Sequence, residues 1–186
     1  MWYRFCLISP LLFLVNALVL GWVTPRYNAR TTAISQLVHY KYGFGQTLNF
    51  IVCGLLSLGL AYFVSNFSAV SQRDKQLVLL GALTFGLCLV TVGLFRTDYA
   101  GQSTLTGKIH NIAFIASVII QGALQIYFAL SRLWHPTGIY FLISGVVTII
   151  GLVFMAQFPS IRGIAQRILV LAIAIWVSTG PLLIRK

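Results

Sequence analysis

Glutamate is absent from the 186-residue sequence, and aspartate occurs only twice, as Asp74 and Asp98. Charged side chains of either sign make up 8% of the chain, against roughly 25% in ordinary soluble domains. That is too little to cover a water-facing surface, which excludes a soluble enzyme and a disordered chain. Cysteine is scarce as well. Cys6, Cys53 and Cys88 are odd in number, lie in or beside apolar runs and form no CxxC pair, so no disulfide framework is expected. They read as small buried apolar side chains. A phosphate-cradling glycine loop, a haem-spaced histidine pair and a Ser/His/Asp triad are all missing.

Apolar residues are what the chain has, at 59% of the total, together with thirteen Lys and Arg that leave a formal net charge of +11. In a soluble protein such a charge points to nucleic acid. Here the basic residues are scattered between apolar runs, so no nucleic-acid partner is expected and membrane lipids with anionic headgroups take that place. A bilayer crossing needs about 20 apolar residues. Six stretches qualify: Phe5 to Thr24, Phe44 to Asn66, Gln76 to Phe95, Ile109 to Ser131, Pro136 to Ala156 and Ile161 to Leu183. The expected fold is an all-α, polytopic six-transmembrane-helix bundle, a single transmembrane domain over 1–186. The first run is longer than a signal-peptide core and is not followed by a clear A-x-A site, so it is expected to be retained as a span.

Six crossings put both termini on one face, side A, with Arg4, Arg73, Lys75, Arg132, Arg185 and Lys186. Side B carries Arg26, Arg30, Lys41, Arg96, Lys108 and Arg162, and Arg167 lies inside the last span. The positive-inside count is therefore balanced. The shorter, more densely basic loops of side A favour cytoplasmic termini in a cell membrane. With that orientation the sequon Asn66-Phe67-Ser68 faces the cytoplasm and stays unglycosylated. Asp74, between Arg73 and Lys75, reads as part of a solvated charge run.

Polar residues that hydrocarbon should reject are the informative ones, and they gather at side B. From Thr31 to Tyr42 the pattern predicts a short amphipathic helix between spans one and two. Thr31, Ser35, His39 and Tyr42 form one face, Ile34, Leu37 and Val38 the other, and Thr31 or Thr32 is the N-cap. Such a helix either lies in the interface or re-enters to line a pocket. Gln46, Asn49, Cys53 and Ser57 form a stripe pointing into the bundle, and Asn49 there needs named hydrogen-bond partners. Thr84, Cys88 and Thr91 form a second stripe. Small and weakly polar residues of this kind are what close packing between spans uses. After span three come Arg96 and Asp98, then Lys108, His110 and Asn111, with Phe114, Ser117 and Gln121 continuing the His110 face. Asp98 is either a turn residue paired with Arg96 or Lys108, or the partner that orients His110. Gln166 and Arg167 sit about a turn inside the last span. Arg167 either snorkels to the interface or faces a polar funnel, where its planar fork suits phosphate or carboxylate.

Four segments in order and spacing resemble the small multi-pass membrane proteins of the domain-of-unknown-function 998 family. They are I-S-Q-L at Ile34 to Leu37, Asn49 through C-G-L-L at Cys53 to Leu56, F-x-x-D from Phe95 followed by G-K-I-H-N from Gly107, and G-I-A-Q-R-I from Gly163. Arg96-Thr97 stands where many relatives would carry a proline before the aspartate. The resemblance covers about Leu11 to Leu183 and implies a six-helix membrane protein with no settled activity.

Two functional expectations follow from the residues. The first is a binding protein with a cationic polar pocket at side B for an anionic lipid headgroup or small anion. Its candidate residues are Gln46, Asn49, Arg96, Asp98, His110, Asn111, Arg162, Gln166 and Arg167, and no cofactor is required. The alternative is a metal-dependent intramembrane lipid hydrolase. In it His39, Asp98 and His110 hold zinc around an open water position, with Ser35, Asp98 and His110 as catalytic candidates. The lack of any mid-span carboxylate removes the usual relay of a proton-coupled transporter. No GxxxG pair argues for a dimer seam, and oligomeric state stays open.

Overall fold

A computed structural model describes residues 2–66, 71–99 and 102–184. Phe67 and Ser68 of the sequon, Arg185 and Lys186, and the side chains of Trp2, Tyr3 and Arg4 lie outside the described residues. Six long helices account for most of the chain: α1 Trp2–Val23, α2 Gly43–Ser65, α3 Gln72–Leu94, α4 Leu105–Ser131, α5 Pro136–Gln157 and α6 Arg162–Ile184. All six are long and apolar enough to cross a membrane. The chain is a multi-pass, all-helical membrane protein.

Helix starts follow capping chemistry more closely than hydropathy. Ser71 Oγ accepts from the backbone N–H of Asp74 at 3.1 Å, and Thr104 Oγ1 accepts from that of Gly107 at 3.1 Å. These caps satisfy orphan amides of the first turn. They explain why α3 and α4 each begin four residues before the apolar runs expected at Gln76 and Ile109. Pro136 opens α5 at the position where its missing N–H costs nothing, and His135 caps it by accepting from Thr137 N–H at 3.3 Å.

Each helix packs on its neighbours in sequence, and α6 returns to α1, closing a ring. Lipid tails are as apolar as leucine, so this packing relies on close approach and internal hydrogen bonds. At the extensive α2–α3 seam, a Cβ on Gly54 would stand 2.9 Å from the Gly86 carbonyl oxygen, and one on Gly86 would stand 2.9 Å from that of Gly54. The two backbones meet there without side chains between them. Across the ring, Trp176 of α6 is buried against Phe128 and Phe141, with ring centroids 5.6 and 5.3 Å away. Its indole N–H donates to Gln121 Oε1 at 2.8 Å, and Gln121 Nε2 donates to the Gly81 carbonyl at 2.7 Å.

The expected polar stripe on α2 faces inward, with Gln46, Asn49, Cys53 and Ser57 all buried. Asn49 has its partners: Nδ2 donates to the Phe13 carbonyl at 2.9 Å, and Oδ1 accepts from Asn16 Nδ2 at 3.2 Å. Ser57 and Ser9 share a hydroxyl contact at 3.1 Å. This network is glue between α1 and α2.

The segment expected as a helix from Thr31 to Tyr42 is a shorter 3₁₀ turn, Ile34–His39. Its N-cap is Ala33 and not Thr31 or Thr32, because the Gln36 side chain folds back to accept from Ala33 N–H at 3.1 Å. Ile34, Leu37 and Val38 are buried as the pattern requires, and so is Ser35. The turn is covered on its apolar side and at Ser35, while His39 at its end stays exposed. The turn touches α1, α2 and α6 and plugs the side B end of the bundle.

On side A, Asp74 is no free member of a solvated run. Its carboxylate accepts from Arg132 at 2.9 Å, linking the start of α3 to the C-cap of α4.

Candidate functional site

Side B is built around the start of α6. Gly163 has no side chain because the connection after α1 lies directly on it; a Cβ there would run into the carbonyl oxygens of Ala29, Arg30 and Thr32. The Arg30 carbonyl accepts from the N–H groups of Gly163 and Ile164 at 2.9 and 3.2 Å. One turn on, Arg167 grips the same connection. Nη1 donates to Ala29 O and Gly163 O, both at 2.8 Å, and Nη2 donates to the Tyr27 hydroxyl at 2.6 Å, with the guanidinium 5.5 Å from the Tyr27 ring centre. Tyr27 in turn donates to the Thr32 carbonyl at 3.0 Å. Burial pushes the Tyr27 phenol pKa up, against the opposing pull of the Arg167 hydrogen bond. This corrects the expectation for Arg167: its two Nη groups are taken by protein acceptors, while Nε is buried without a partner among the described residues, and the side chain works as a clasp. Gln166 completes the attachment by accepting from Ile34 N–H through Oε1 at 2.5 Å.

The connection between α3 and α4 supplies the opposite wall. Asp98 Oδ1 accepts from Thr104 Oγ1 at 2.5 Å and from Thr104 N–H at 3.2 Å. A Cβ on Gly107 would fall on its carboxylate, so Asp98 sits over the first turn of α4. Among the described residues the one ion pair is Arg132 with Asp74, so the expected pairing of Asp98 with Arg96 or Lys108 is not formed. The expected Asp98–His110 hydrogen bond is replaced too: His110 Nδ1 donates to the Phe95 carbonyl at 2.8 Å. His39 Nε2 donates to the Thr97 carbonyl at 2.7 Å, and its ring stands edge-on to Tyr99. With each of the three turned to its own local partner, His39, Asp98 and His110 do not converge. Among the described residues no three His, Cys, Asp or Glu side chains are grouped to hold a metal ion. The zinc set expected for a hydrolase is corrected on that geometry.

Between these walls lies an open cleft of about 410 Å³. Ser35, Asp98, His110, Asn111, Arg162 and Gln166 line it, so the fold brings these candidates together from four separate segments. Gln46, Asn49, Arg96 and Arg167 are not among its lining residues. Gln46 and Asn49 belong to the α1–α2 network, and Arg96 is exposed to the outside. Sequence reasoning missed Gln36, Thr97, Tyr99 and Gln102 as lining residues. Gln36 was within the I-S-Q-L segment, and the other three flank Asp98 too irregularly for any periodicity to select them. The side B ends of α4 and α5 both border the opening, through Ile115 and Met155. Among the described residues Arg162 is the one cation in the lining. Its Nε donates to the Met155 carbonyl at 3.3 Å, and its Nη groups have no partner among the described residues. Beneath the cleft is a small cavity of about 40 Å³ lined mostly by apolar residues, among them Phe13, Phe50 and Phe85. Ser35, His110, Phe114 and Gln166 line both spaces and form the floor between them.

The family model described as "Protein of unknown function (DUF998)" matches residues 7–180. No curated protein and no solved structure matches the chain.

Proposed function

The chain belongs to the DUF998 family, whose function is unknown, and from that starting point we propose that it is a membrane-embedded binding protein whose side B cleft holds a phosphate-type anion, either the headgroup of a lipid or a small free anion. The observation that carries this reading is Arg162: a cation in the wall of an open cleft, with its Nε fixed on the helix before it and its Nη donors unclaimed. A planar, pre-oriented guanidinium with two free nitrogens matches phosphate oxygens. Lys41 and Arg96 in the connections and Lys108 in the first turn of α4 add to the same field, and Asp98 is the sole acid at this end. The cleft is bordered by Ile115 and Met155, which gives a lipid headgroup a route from the bilayer. The termini are proposed to face the cytoplasm of a cell membrane.

The test is lipid and anion content of the full chain purified in mild detergent, wild type beside Arg162→Gln. The wild type is expected to retain anionic phospholipid or inorganic phosphate. The variant should lose about tenfold in retention, the size of one charge-assisted hydrogen bond. Lipid extraction separates the two sources, since only a lipid carries acyl chains into the organic phase. A wild type with neither species, or a variant that retains as much, sinks the proposal.

A further inference from the structure

Three polar groups at the floor of the cleft are more than nine-tenths buried, and each has one side left open. Gln166 is 5% exposed; its Oε1 is taken by Ile34 N–H, so the Nε2 amide is left with two donors and no acceptor among the described residues. His110 is 3% exposed, and its imidazole has the Phe95 and Val92 carbonyls as backbone partners, the first at 2.8 Å from Nδ1. A carbonyl only accepts, so the proton sits on Nδ1 and Nε2 of the neutral ring is an acceptor. Ser35 is 8% exposed, and its hydroxyl has no partner among the described residues. All three residues line the cleft, so a ligand there can reach the open atoms. Two of the three are fixed in orientation by bonds to backbone, which holds them ready for it.

The open valences are a donor pair, an acceptor and a hydroxyl, and none of them is charged. A carboxylate or an ammonium against them would be desolvated without a counter-ion of its own at the floor. Alcohol groups, which both donate and accept, satisfy all three. Asp98 on the adjoining wall has lone pairs beyond those used by Thr104 and can accept from a further hydroxyl.

We infer that the cleft selects a phospholipid whose phosphate carries a polyol, with the phosphate at Arg162 and the polyol hydroxyls on Ser35, His110 and Gln166. This rests on the binding role proposed above and narrows its ligand. The cavity under the floor, at about 40 Å³, is too small for an acyl chain, so the tails stay on the bilayer side, past Ile115 and Met155.

The experiment is lipid retention by the full chain in nanodiscs, read by native mass spectrometry. The probes are phosphatidylglycerol, phosphatidic acid, which has the phosphate without the polyol, and phosphatidylethanolamine. Wild type is expected to retain phosphatidylglycerol about tenfold over phosphatidic acid, the effect of one or two neutral hydrogen bonds. Ser35→Ala removes a hydroxyl that no protein group uses. Gln166→Met keeps the length of the side chain and removes the donors without adding a charge, at the loss of the acceptor for Ile34 N–H. Both should bring that ratio close to one while anionic lipids remain bound over phosphatidylethanolamine. Equal retention of phosphatidic acid and phosphatidylglycerol by wild type overturns the inference and leaves the anion site standing. So does a polyol preference that survives both floor variants. Loss of all anionic lipid from wild type fails the binding role itself.

Discussion

Arg167 shows how much of a membrane protein's cation inventory is spent on the protein itself. Its guanidinium holds two backbone carbonyls at 2.8 Å and the Tyr27 hydroxyl at 2.6 Å. A snorkelling arginine would leave these acceptors empty. The Gly163 carbonyl lies one turn back in α6, but the Ala29 carbonyl and Tyr27 belong to an irregular connection that has no helix or sheet in which to bury its polar groups, and in or near a bilayer such groups need protein partners. Replacing Arg167 by Gln is expected to lower stability by about 2–4 kcal/mol, since charge-assisted hydrogen bonds are lost and their acceptors are orphaned. Thermal unfolding in detergent reads this directly. Lys should rescue little, because a point charge on a flexible stem cannot reach the separate acceptors that a planar fork spans. A melting temperature unchanged in both variants would mean that the clasp contributes nothing.

Among the helices, the α2–α3 seam is held by what is missing from it. Gly54 and Gly86 place backbone against backbone, so the contacts come from main-chain atoms and from flanking side chains such as Val90 and Leu58. Gly54→Ala would force a methyl group to within 2.9 Å of the Gly86 carbonyl and of Val90 N. Neither backbone atom can give way cheaply. A destabilisation of about 1–3 kcal/mol is expected from this overpacking, although alanine is the better helix former by up to about 1 kcal/mol. The readout is the melting temperature together with monodispersity on gel filtration. An Ala variant as stable as wild type would show that the seam can open at no cost. The polar stripes on α2 and α4 were legible because their spacing is helical and their cost in hydrocarbon is high. The Gly54–Gly86 crossing was not, since neither glycine has a neighbour at GxxxG spacing to mark it.

At the scale of the whole molecule, six crossings leave both termini at side A and the cleft at side B. Reporter domains fused to the two ends are expected to report the same compartment, the cytoplasm. A cysteine placed at Asn28, in the connection after α1, is expected to react with an impermeant maleimide from the opposite side. Termini on opposite sides would break the even count of spans. Termini that agree but lie outside the cytoplasm would reverse the orientation and leave the fold unchanged. The ring closure of α6 on α1 also explains how the cleft forms: the chain's last helix brings Arg162 and Gln166 to the connections that follow α1 and α3.

Some properties needed only the sequence. The count of six spans, the helical class and the inward direction of the Gln46 to Ser57 stripe all follow from local rules. Those rules are the length of an apolar run against bilayer thickness and the cost of a polar group in hydrocarbon. The membership of Ser35, Asp98, His110, Asn111, Arg162 and Gln166 in one cleft was foreseeable only as a tendency of side B. Which cations stay free was decided by the tertiary structure, because that depends on where backbone carbonyls from distant segments end up. Arg167 and Arg162 lie five residues apart on the same helix. One turns to the Ala29 and Tyr27 connection and is consumed, and the other borders an open cleft with its Nη donors unclaimed. No spacing in the chain distinguishes them, since the difference lies in hydrogen bonds to residues more than 130 positions away.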